Sequence, residues 1–149
     1  LVELSNAPLT DEQHKEVNVL FNVVNDIERI GDHADNIGEL THEVLEEGLE
    51  FSNEAIEEFN NIFSKAQEAF HQALISFEFW DFDGAREVLK LEEEVNFLEA
   101  KYRANHIDRL NKFLCQPSAG VLFLDILSNL ERVSDHSSNI AYYILEQVK

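Results

Sequence analysis

The 149-residue sequence is poor in the residues that build turns, disulfides and membrane spans. Five glycines and two prolines are too few for the many turns of an all-β fold, so long helices are expected. The single cysteine, Cys115, excludes a disulfide framework and suits a reducing compartment. No apolar run is long enough to span a bilayer or to resemble a signal peptide. Methionine is absent even at position 1, so we expect a piece of a longer polypeptide that could carry a membrane segment elsewhere.

Basic residues are also scarce. Eleven Lys and Arg stand against thirty Asp and Glu, which gives a net charge of −19. A phosphate backbone or an anionic lipid surface repels such a chain, so we expect neither nucleic-acid binding nor flat docking on a membrane. Hydrophobic residues make up 44% of the chain, with eleven Phe among them, enough for the core of one domain over residues 1–149.

Four long amphipathic helices are predicted. Thr10 and Gln13 form a capping box that begins the first helix, and Gly48 ends it. Asp83 is the expected N-cap of the third helix. The predicted ranges are 10–47, 52–80, 84–114 and 119–148. Short connections make consecutive helices antiparallel, so the sequence predicts an all-α, up-down four-helix bundle.

One ten-residue motif, E-R-[IV]-x-D-H-x-x-N-I, occurs twice. Residues 28–37 and 131–140 agree at six positions with an offset of 103, which indicates an internal duplication. The second and third helices have no counterpart before the first. We therefore predict a three-helix repeat, with residues 10–47 as the last helix of one repeat and residues 52–148 as a complete second repeat.

The motif spaces its acidic side chains by four residues, so they share one helix face. Glu28, Asp32 and Asn36 form one set, and Glu131, Asp135 and Asn139 form the other. Both glutamates fall on the predicted apolar faces. These faces contain Val17, Phe21, Val24 and Gly31 in the first helix, and Leu124, Leu127, Ser134 and Ser138 in the fourth. A half-buried carboxylate needs a proton, an arginine or a metal, because an unpaired buried charge is costly.

Two interpretations of these carboxylates stay open. In one, each acid pairs with an arginine of the bundle and fixes the helix register; the candidates are Arg29, Arg103, Arg109 and Arg132. In the other, the four carboxylates and the two asparagine oxygens form a site for a divalent cation or iron. His33 and His136 lie about 100° round the helix from the neighbouring Asp, so we expect them to be hydrogen-bonding side chains rather than ligands.

A further acidic row occurs on the third helix. Glu92, Glu99 and His106 are expected on a solvated face, although Glu92 could lean into the metal site. No Ser-His-Asp order and no glycine-rich phosphate loop stands out. Di-iron oxidases of the ferritin type carry Glu-x-x-His pairs, whereas this motif is Glu-x-x-x-Asp. We therefore expect no enzyme. The alternatives are a carboxylate-bridged metalloenzyme, such as an oxidase or hydrolase, and a purely structural module held by ion pairs.

The doubled motif resembles the signature of the PhoU family, and residues 91–98 (LEEEVNFL) resemble the acidic start of that family's middle helix. The resemblance covers essentially the whole chain. It implies a helical bundle whose motif carboxylates hold multinuclear iron or other divalent metal clusters, here through Glu28, Asp32, Glu131 and Asp135. It also implies a non-enzymatic regulator of phosphate homeostasis that restrains phosphate uptake and signalling.

The second motif, residues 131–141, looks closer to PhoU domains that form the cytoplasmic C-terminal part of sodium/phosphate cotransporters. This resemblance implies a parent protein in the cell membrane, with the domain at the cytoplasmic face as a regulator of the transporter portion. The alternative is a free cytoplasmic regulator that acts on a phosphate transport or signalling protein. The metal and the oligomeric state stay open, a homo-oligomer included.

Overall fold

A computed structural model describes residues 1–147, and every regular element in this range is an α-helix. The elements are α1 (Val2–Ser5), α2 (Asp11–Glu46), α3 (Asn53–Phe79), α4 (Phe82–Asn111) and α5 (Pro117–Leu145). The predicted all-α bundle with four long helices is confirmed in α2–α5. The predicted end of the last helix at Val148 lies outside the described residues.

Side-chain caps begin three of the long helices. The predicted capping box is present, since Thr10 Oγ1 accepts from the Gln13 N–H and the Gln13 side chain accepts from the Thr10 N–H. Ser52 caps α3 with a single bond, since its Oγ accepts from the Ala55 N–H at 3.1 Å. The predicted N-cap of α4 is wrong: Asp81, not Asp83, accepts from two backbone N–H groups. The reason is that Trp80, with a left-handed φ of 53°, reverses the chain by itself, so that α4 begins directly after Asp81.

Helix α5 occupies the centre of the bundle. It contacts α2, α3 and α4, and α3 also packs against α4. Among the described residues, α2 otherwise contacts only the short α1. The side chains of α5 that are fully buried are Phe123, Leu127, Ser134, Ser137, Ile140, Ala141 and Ile144. The small residues in this set allow neighbouring helices to approach closely, so α5 can take three partners at once.

A buried polar group joins α3 to α4 beside the start of α5. Arg109 makes two hydrogen bonds to Glu58, at 2.8 and 3.1 Å, and Asn105 donates to the same carboxylate at 2.8 Å. The prediction that His106 lies on a solvated face is wrong, because His106 is fully buried against the ring of Phe123. Burial, with the nearby charge of Arg109, lowers the pKa of His106.

None of the helices in residues 1–147 is both long and apolar enough to cross a membrane.

Candidate functional site at the paired motifs

The contact between α2 and α5 centres on one buried acid, Asp26, which is 5% exposed. Its Oδ1 lies 2.8 Å from Nδ1 of His136 and 3.0 Å from Nδ2 of Asn139. Because an ionised carboxylate only accepts hydrogen bonds, both side chains of α5 donate to Asp26. The second motif therefore supplies two donors to one acceptor on α2.

The same contact occurs with the roles of the helices exchanged. Nδ1 of His33 lies 2.9 Å from Oδ1 of Asn129, and Asn36 donates to this oxygen at 3.3 Å. Asn129 donates its own Nδ2 to the carbonyl of Asp125 at 2.9 Å, which directs its Oδ1 towards His33. The rings of His33 and His136 stack between the two contacts, with centroids 5.6 Å apart. The expectation that both histidines are hydrogen-bonding side chains is confirmed.

These six residues are related by the offset of the motif. Asn129, His136 and Asn139 each lie 103 positions after their counterparts Asp26, His33 and Asn36. Each copy of the motif thus gives a His and an Asn to the acceptor of the other copy, as in a two-fold symmetric interface. We call this arrangement the reciprocal contact. The boundaries of the predicted repeats stay a prediction.

The first set of motif acids does not lie in this interface. Glu28 and Asp32 are exposed on α2, and of this set only Asn36, which is also exposed, reaches Asn129 in the reciprocal contact. Glu28 is two residues from both Asp26 and Ile30, so it lies about 160° round the helix from each of them and faces away from the buried row. Glu28 and Val24, which the sequence places on the apolar face of this helix, therefore do not lie on the face that packs against α5, and Val24 is 50% exposed.

The second set of motif acids turns towards α4. Glu131 and Asp135 are half-buried, as predicted, and the side chain of Glu92 reaches Asp135. Burial, the charge of Glu131 and the hydrogen bond with Glu92 raise the pKa of Asp135 to about 6. This group of Glu92, Glu131 and Asp135 is called the acid cluster below. At neutral pH it concentrates negative charge between α4 and α5.

Comparison with known proteins identifies the family. The sequence model of the PhoU domain family matches residues 1–41 and 59–144, which include both motifs. The chain belongs to the PhoU domain family.

Two curated relatives support this assignment. A phosphate-specific transport system accessory protein, PhoU homolog 1 of Thermotoga maritima, is 28% identical over 121 residues, or 81% of this chain and 51% of the relative. The PhoU homolog of Pseudomonas aeruginosa with the same description is 30% identical over 127 residues, or 83% of this chain and 50% of the relative. The chain thus spans about half the length of the curated relatives that it matches.

A solved structure supports the fold. The crystal structure of PhoU from Pseudomonas aeruginosa superposes with a TM-score of 0.87, at 24% identity. The match covers 97% of this chain and 68% of that chain. The likeness shows that the helices of this PhoU domain are arranged as in that protein.

The PhoU domain does not bring its four predicted carboxylates together. Glu28 and Asp32 lie on the exposed face of α2, whereas Glu131 and Asp135 lie on the side of α5 that faces α4. Within residues 1–147, no three His, Cys, Asp or Glu side chains are arranged to hold a metal ion. The predicted ligands Asn36 and Asn139 instead donate to the reciprocal contact.

The ion-pair interpretation also fails for two of the predicted arginines. Arg109 pairs with Glu58, and Arg103 pairs with Glu99 of the same helix and donates to Ser128. Arg29 and Arg132 are exposed. The motif acids of this PhoU domain are thus not neutralised by Arg103 or Arg109.

Sequence reasoning missed the acceptors, Asp26 and Asn129. Both lie two residues before the motif, and the similarity of the copies continues there, with Val23 matching Ile126 and Ile27 matching Leu130. Extending the ten-residue alignment towards the N-terminus by one helical turn, at the same offset of 103, finds this pair. The signal is that Asp26 aligns with Asn129, because the carboxylate of Asp and the side-chain amide of Asn both present an acceptor oxygen at the same position.

Proposed function

We propose that this PhoU domain is a non-enzymatic regulatory module of a phosphate-transport system. The observation that carries the proposal is the family match, which spans both motif-bearing helices. The two curated relatives are described as accessory proteins of phosphate-specific transport systems. Regulation of transport, rather than transport itself, is the activity that such an accessory module supplies.

Phosphate uptake by cells that produce the parent protein tests this role. The variant Asp26→Ala removes the acceptor of His136 and Asn139, and the exposed neighbour Asn25→Ala is the matched control. If the module restrains uptake, Asp26→Ala raises the initial rate of radiolabelled phosphate entry and Asn25→Ala does not. Equal uptake in all three strains, together with equal uptake after deletion of residues 1–147, contradicts the regulatory role.

We also propose that the regulated transporter is a sodium/phosphate cotransporter, in the same polypeptide or as its partner, with the domain at the cytoplasmic face of the membrane. The resemblance of residues 131–141 to transporter-attached domains supports this proposal. Uptake that depends on sodium, and recovery of the parent protein in the membrane fraction, are expected. Sodium-independent uptake with a fully soluble parent protein contradicts it and favours a free cytoplasmic regulator.

A third proposal concerns metal binding by the motif carboxylates. The oxygen-only donor set of the acid cluster fits hard or borderline divalent cations and iron. Burial and the charge of Glu131 raise the pKa of Asp135 to about 6, and a bound cation would relieve the second of these two effects. Because the two carboxylate pairs lie apart, we propose two separate sites, one at Glu131 and Asp135 and one at Glu28 and Asp32, each made by two motif carboxylates that turn towards the bound ion.

Metal content tests the third proposal independently of transport. The purified 149-residue chain is equilibrated with Mn²⁺, Fe²⁺, Zn²⁺, Ni²⁺ or Ca²⁺, dialysed and analysed by mass spectrometry. Glu131→Gln/Asp135→Asn is expected to remove one site and Glu28→Gln/Asp32→Asn the other. Glu39→Gln/Glu43→Gln is the control, because these carboxylates are also exposed and spaced by four on α2. No bound metal in the wild type, or equal loss in the control, contradicts metal binding.

A further inference from the structure

Two histidines meet at the centre of the reciprocal contact. The ring centroids of His33 and His136 lie 5.6 Å apart, and the two ring planes differ by 21°. The rings come from different helices, α2 and α5, and occupy equivalent positions in the two copies of the motif. Both side chains are half-buried, so water and ions can reach them. Neither phosphate regulation nor metal binding by the motif carboxylates uses these two rings.

The hydrogen bonds of the pair fix the tautomer of each ring. Because the carboxylate of Asp26 only accepts, His136 donates to it through Nδ1–H, and the lone pair of the neutral ring is on Nε2. Asn129 donates its own Nδ2 to a backbone carbonyl, which leaves its Oδ1 as the acceptor for His33. His33 therefore also carries its lone pair on Nε2. No hydrogen bond to either Nε2 occurs within residues 1–147.

A histidine held in this way is oriented for binding a metal. Histidine ligands in metal sites typically donate their other ring N–H to a carboxylate or a carbonyl oxygen, which fixes the tautomer and raises the basicity of the ligating nitrogen. Asp26 supplies the carboxylate to His136, and Asn129 supplies the amide carbonyl oxygen to His33. The reciprocal contact thus provides the outer-shell partners of two imidazole ligands.

The two-fold symmetry of the contact places both rings at the same distance from one axis. Half of the 5.6 Å separation puts each ring centre about 2.8 Å from that axis. An imidazole nitrogen lies about 2.0–2.1 Å from a bound Zn²⁺. The two distances are of the same size, so an ion on the axis can reach both rings. Since no third His, Cys, Asp or Glu joins the pair within residues 1–147, water fills the remaining positions.

We propose that His33 and His136 bind one transition-metal ion of the class Zn²⁺, Ni²⁺ or Cu²⁺ through their Nε2 atoms. Imidazole nitrogen suits these ions, whereas carboxylate oxygen suits harder cations. The bound ion joins α2 to α5, the helix through which α2 is held to the bundle. This site is separate from the motif carboxylates, and it rests on neither phosphate regulation nor metal binding by those acids.

The first test counts the imidazoles on a bound ion. The probe is Cu²⁺ complexed by iminodiacetate, which occupies part of the coordination sphere and leaves positions for two imidazoles. Electron paramagnetic resonance detects each coordinated imidazole through its nitrogen couplings. The purified 149-residue chain is expected to bind one complex with two imidazoles. His33→Gln or His136→Gln should leave one and weaken binding about tenfold or more, since loss of even an outer-shell partner costs about 10–100-fold.

Two control variants separate the pair from other metal-binding groups. His42→Gln removes an exposed histidine of α2 that lies 3.0 Å from Glu46, and it is expected to leave the two-imidazole signal unchanged. Glu131→Gln/Asp135→Asn removes the carboxylates beside His136, and it is expected to keep both imidazoles on the ion. Far-ultraviolet circular dichroism checks that every variant keeps the helical content of the wild type.

Hydrogen exchange supplies a second readout, because an ion that holds α2 to α5 opposes their separation. With free Zn²⁺ about 100-fold above its dissociation constant, exchange of the α2 amides by local opening should slow about 100-fold. The same concentration of Zn²⁺ should not slow exchange in His33→Gln. His42→Gln is the control and should respond as the wild type does.

Three results overturn the proposal. The first is a wild-type complex with one imidazole or none. The second is equal weakening by His42→Gln and His33→Gln, which assigns the ion to surface histidines in general. The third is loss of the signal in Glu131→Gln/Asp135→Asn, which assigns the ion to the motif acids. If the histidine substitutions lower the helical content, the imidazole count of the wild type and the slowing of its α2 exchange decide.

Discussion

Removing the acceptor Asp26 is the sharpest test of how α2 is held. In Asp26→Ala, Nδ1–H of His136 and the amide of Asn139 both lose a partner that they now contact at 2.8 and 3.0 Å. Hydrogen bonds to a buried charged group contribute about 1.5–3 kcal/mol each, but the two share one oxygen and water can replace part of the loss. We therefore expect the free energy of unfolding to fall by roughly 2–3 kcal/mol.

The other half of the reciprocal contact supplies the comparison. Asn129 is neutral and only half-buried, so Asn129→Ala is expected to cost about 1 kcal/mol. Asp26→Asn keeps an acceptor oxygen, as Asn129 does naturally, and is expected to lie within about 1 kcal/mol of the wild type. The expected order of the three losses in free energy of unfolding follows from the charge and the burial of the acceptor.

Urea unfolding followed by circular dichroism measures these differences. For a domain of this size, the loss expected for Asp26→Ala lowers the melting temperature by roughly 4–12 °C. Asn25→Ala is the control, because Asn25 is the exposed neighbour on the same helix. If Asp26→Ala is no less stable than Asn25→Ala, or if Asn129→Ala costs more than Asp26→Ala, the account of the reciprocal contact is refuted.

Four further substitutions test two titratable groups and two glycines. Because burial and Glu131 raise the folded pKa of Asp135 to about 6, its ionisation opposes folding above that pH. Asp135→Asn should thus raise the free energy of unfolding, measured by urea titration at pH about 7.5, by on the order of 1 kcal/mol after solvent screening, with no gain near pH 4. Burial lowers the folded pKa of His106, so stability falls as pH drops below about 6.5, and His106→Leu should flatten that slope in urea titrations from pH 7 to 5. A Cβ at Gly120 would lie 2.6 Å from His106 Nε2, so Gly120→Ala should lower the melting temperature, whereas Gly38→Ala, with open space, should raise it.

The helices of this chain were predictable because local signals define their ends. The capping box at Thr10 and the serine at Ser52 satisfy backbone donors wherever the helix packs, so they act before tertiary structure forms. The start of α4 was less predictable, since Asp81 and Asp83 both suit an N-cap. The left-handed conformation of Trp80 decides between them, and a tryptophan in that conformation is not a local preference.

The buried face of α2 could not be derived from its pattern. The helix carries two apolar rows, one with Val23 and Ile30 and another with Leu20, Val24 and Ile27. A helix that packs against one neighbour buries one narrow row, and which row it buries depends on the partner. The acceptor Asp26 belongs to the buried row. The sequence pattern therefore did not indicate that polar side chains would meet in this interface.

The motif acids show what a repeated spacing can and cannot predict. The spacing of four correctly placed Glu131 beside Asp135, and the half-buried position of both is confirmed. It did not place Glu28 and Asp32 beside them, because a shared motif on two helices does not set which faces of those helices meet. The reciprocal contact turns His33 and His136 to the interface, and the acids consequently point elsewhere.

The single attachment of α2 has a consequence for how this chain opens. The helices α3, α4 and α5 enclose a core of their own, whereas α2 is held to them through α5. Separation of α2 therefore breaks one interface and leaves three helices packed, which makes it a local opening rather than global unfolding. In hydrogen exchange, the amides of α2 should form a distinct, faster group whose rate responds to Asp26, while those of α5 exchange only when the whole bundle unfolds.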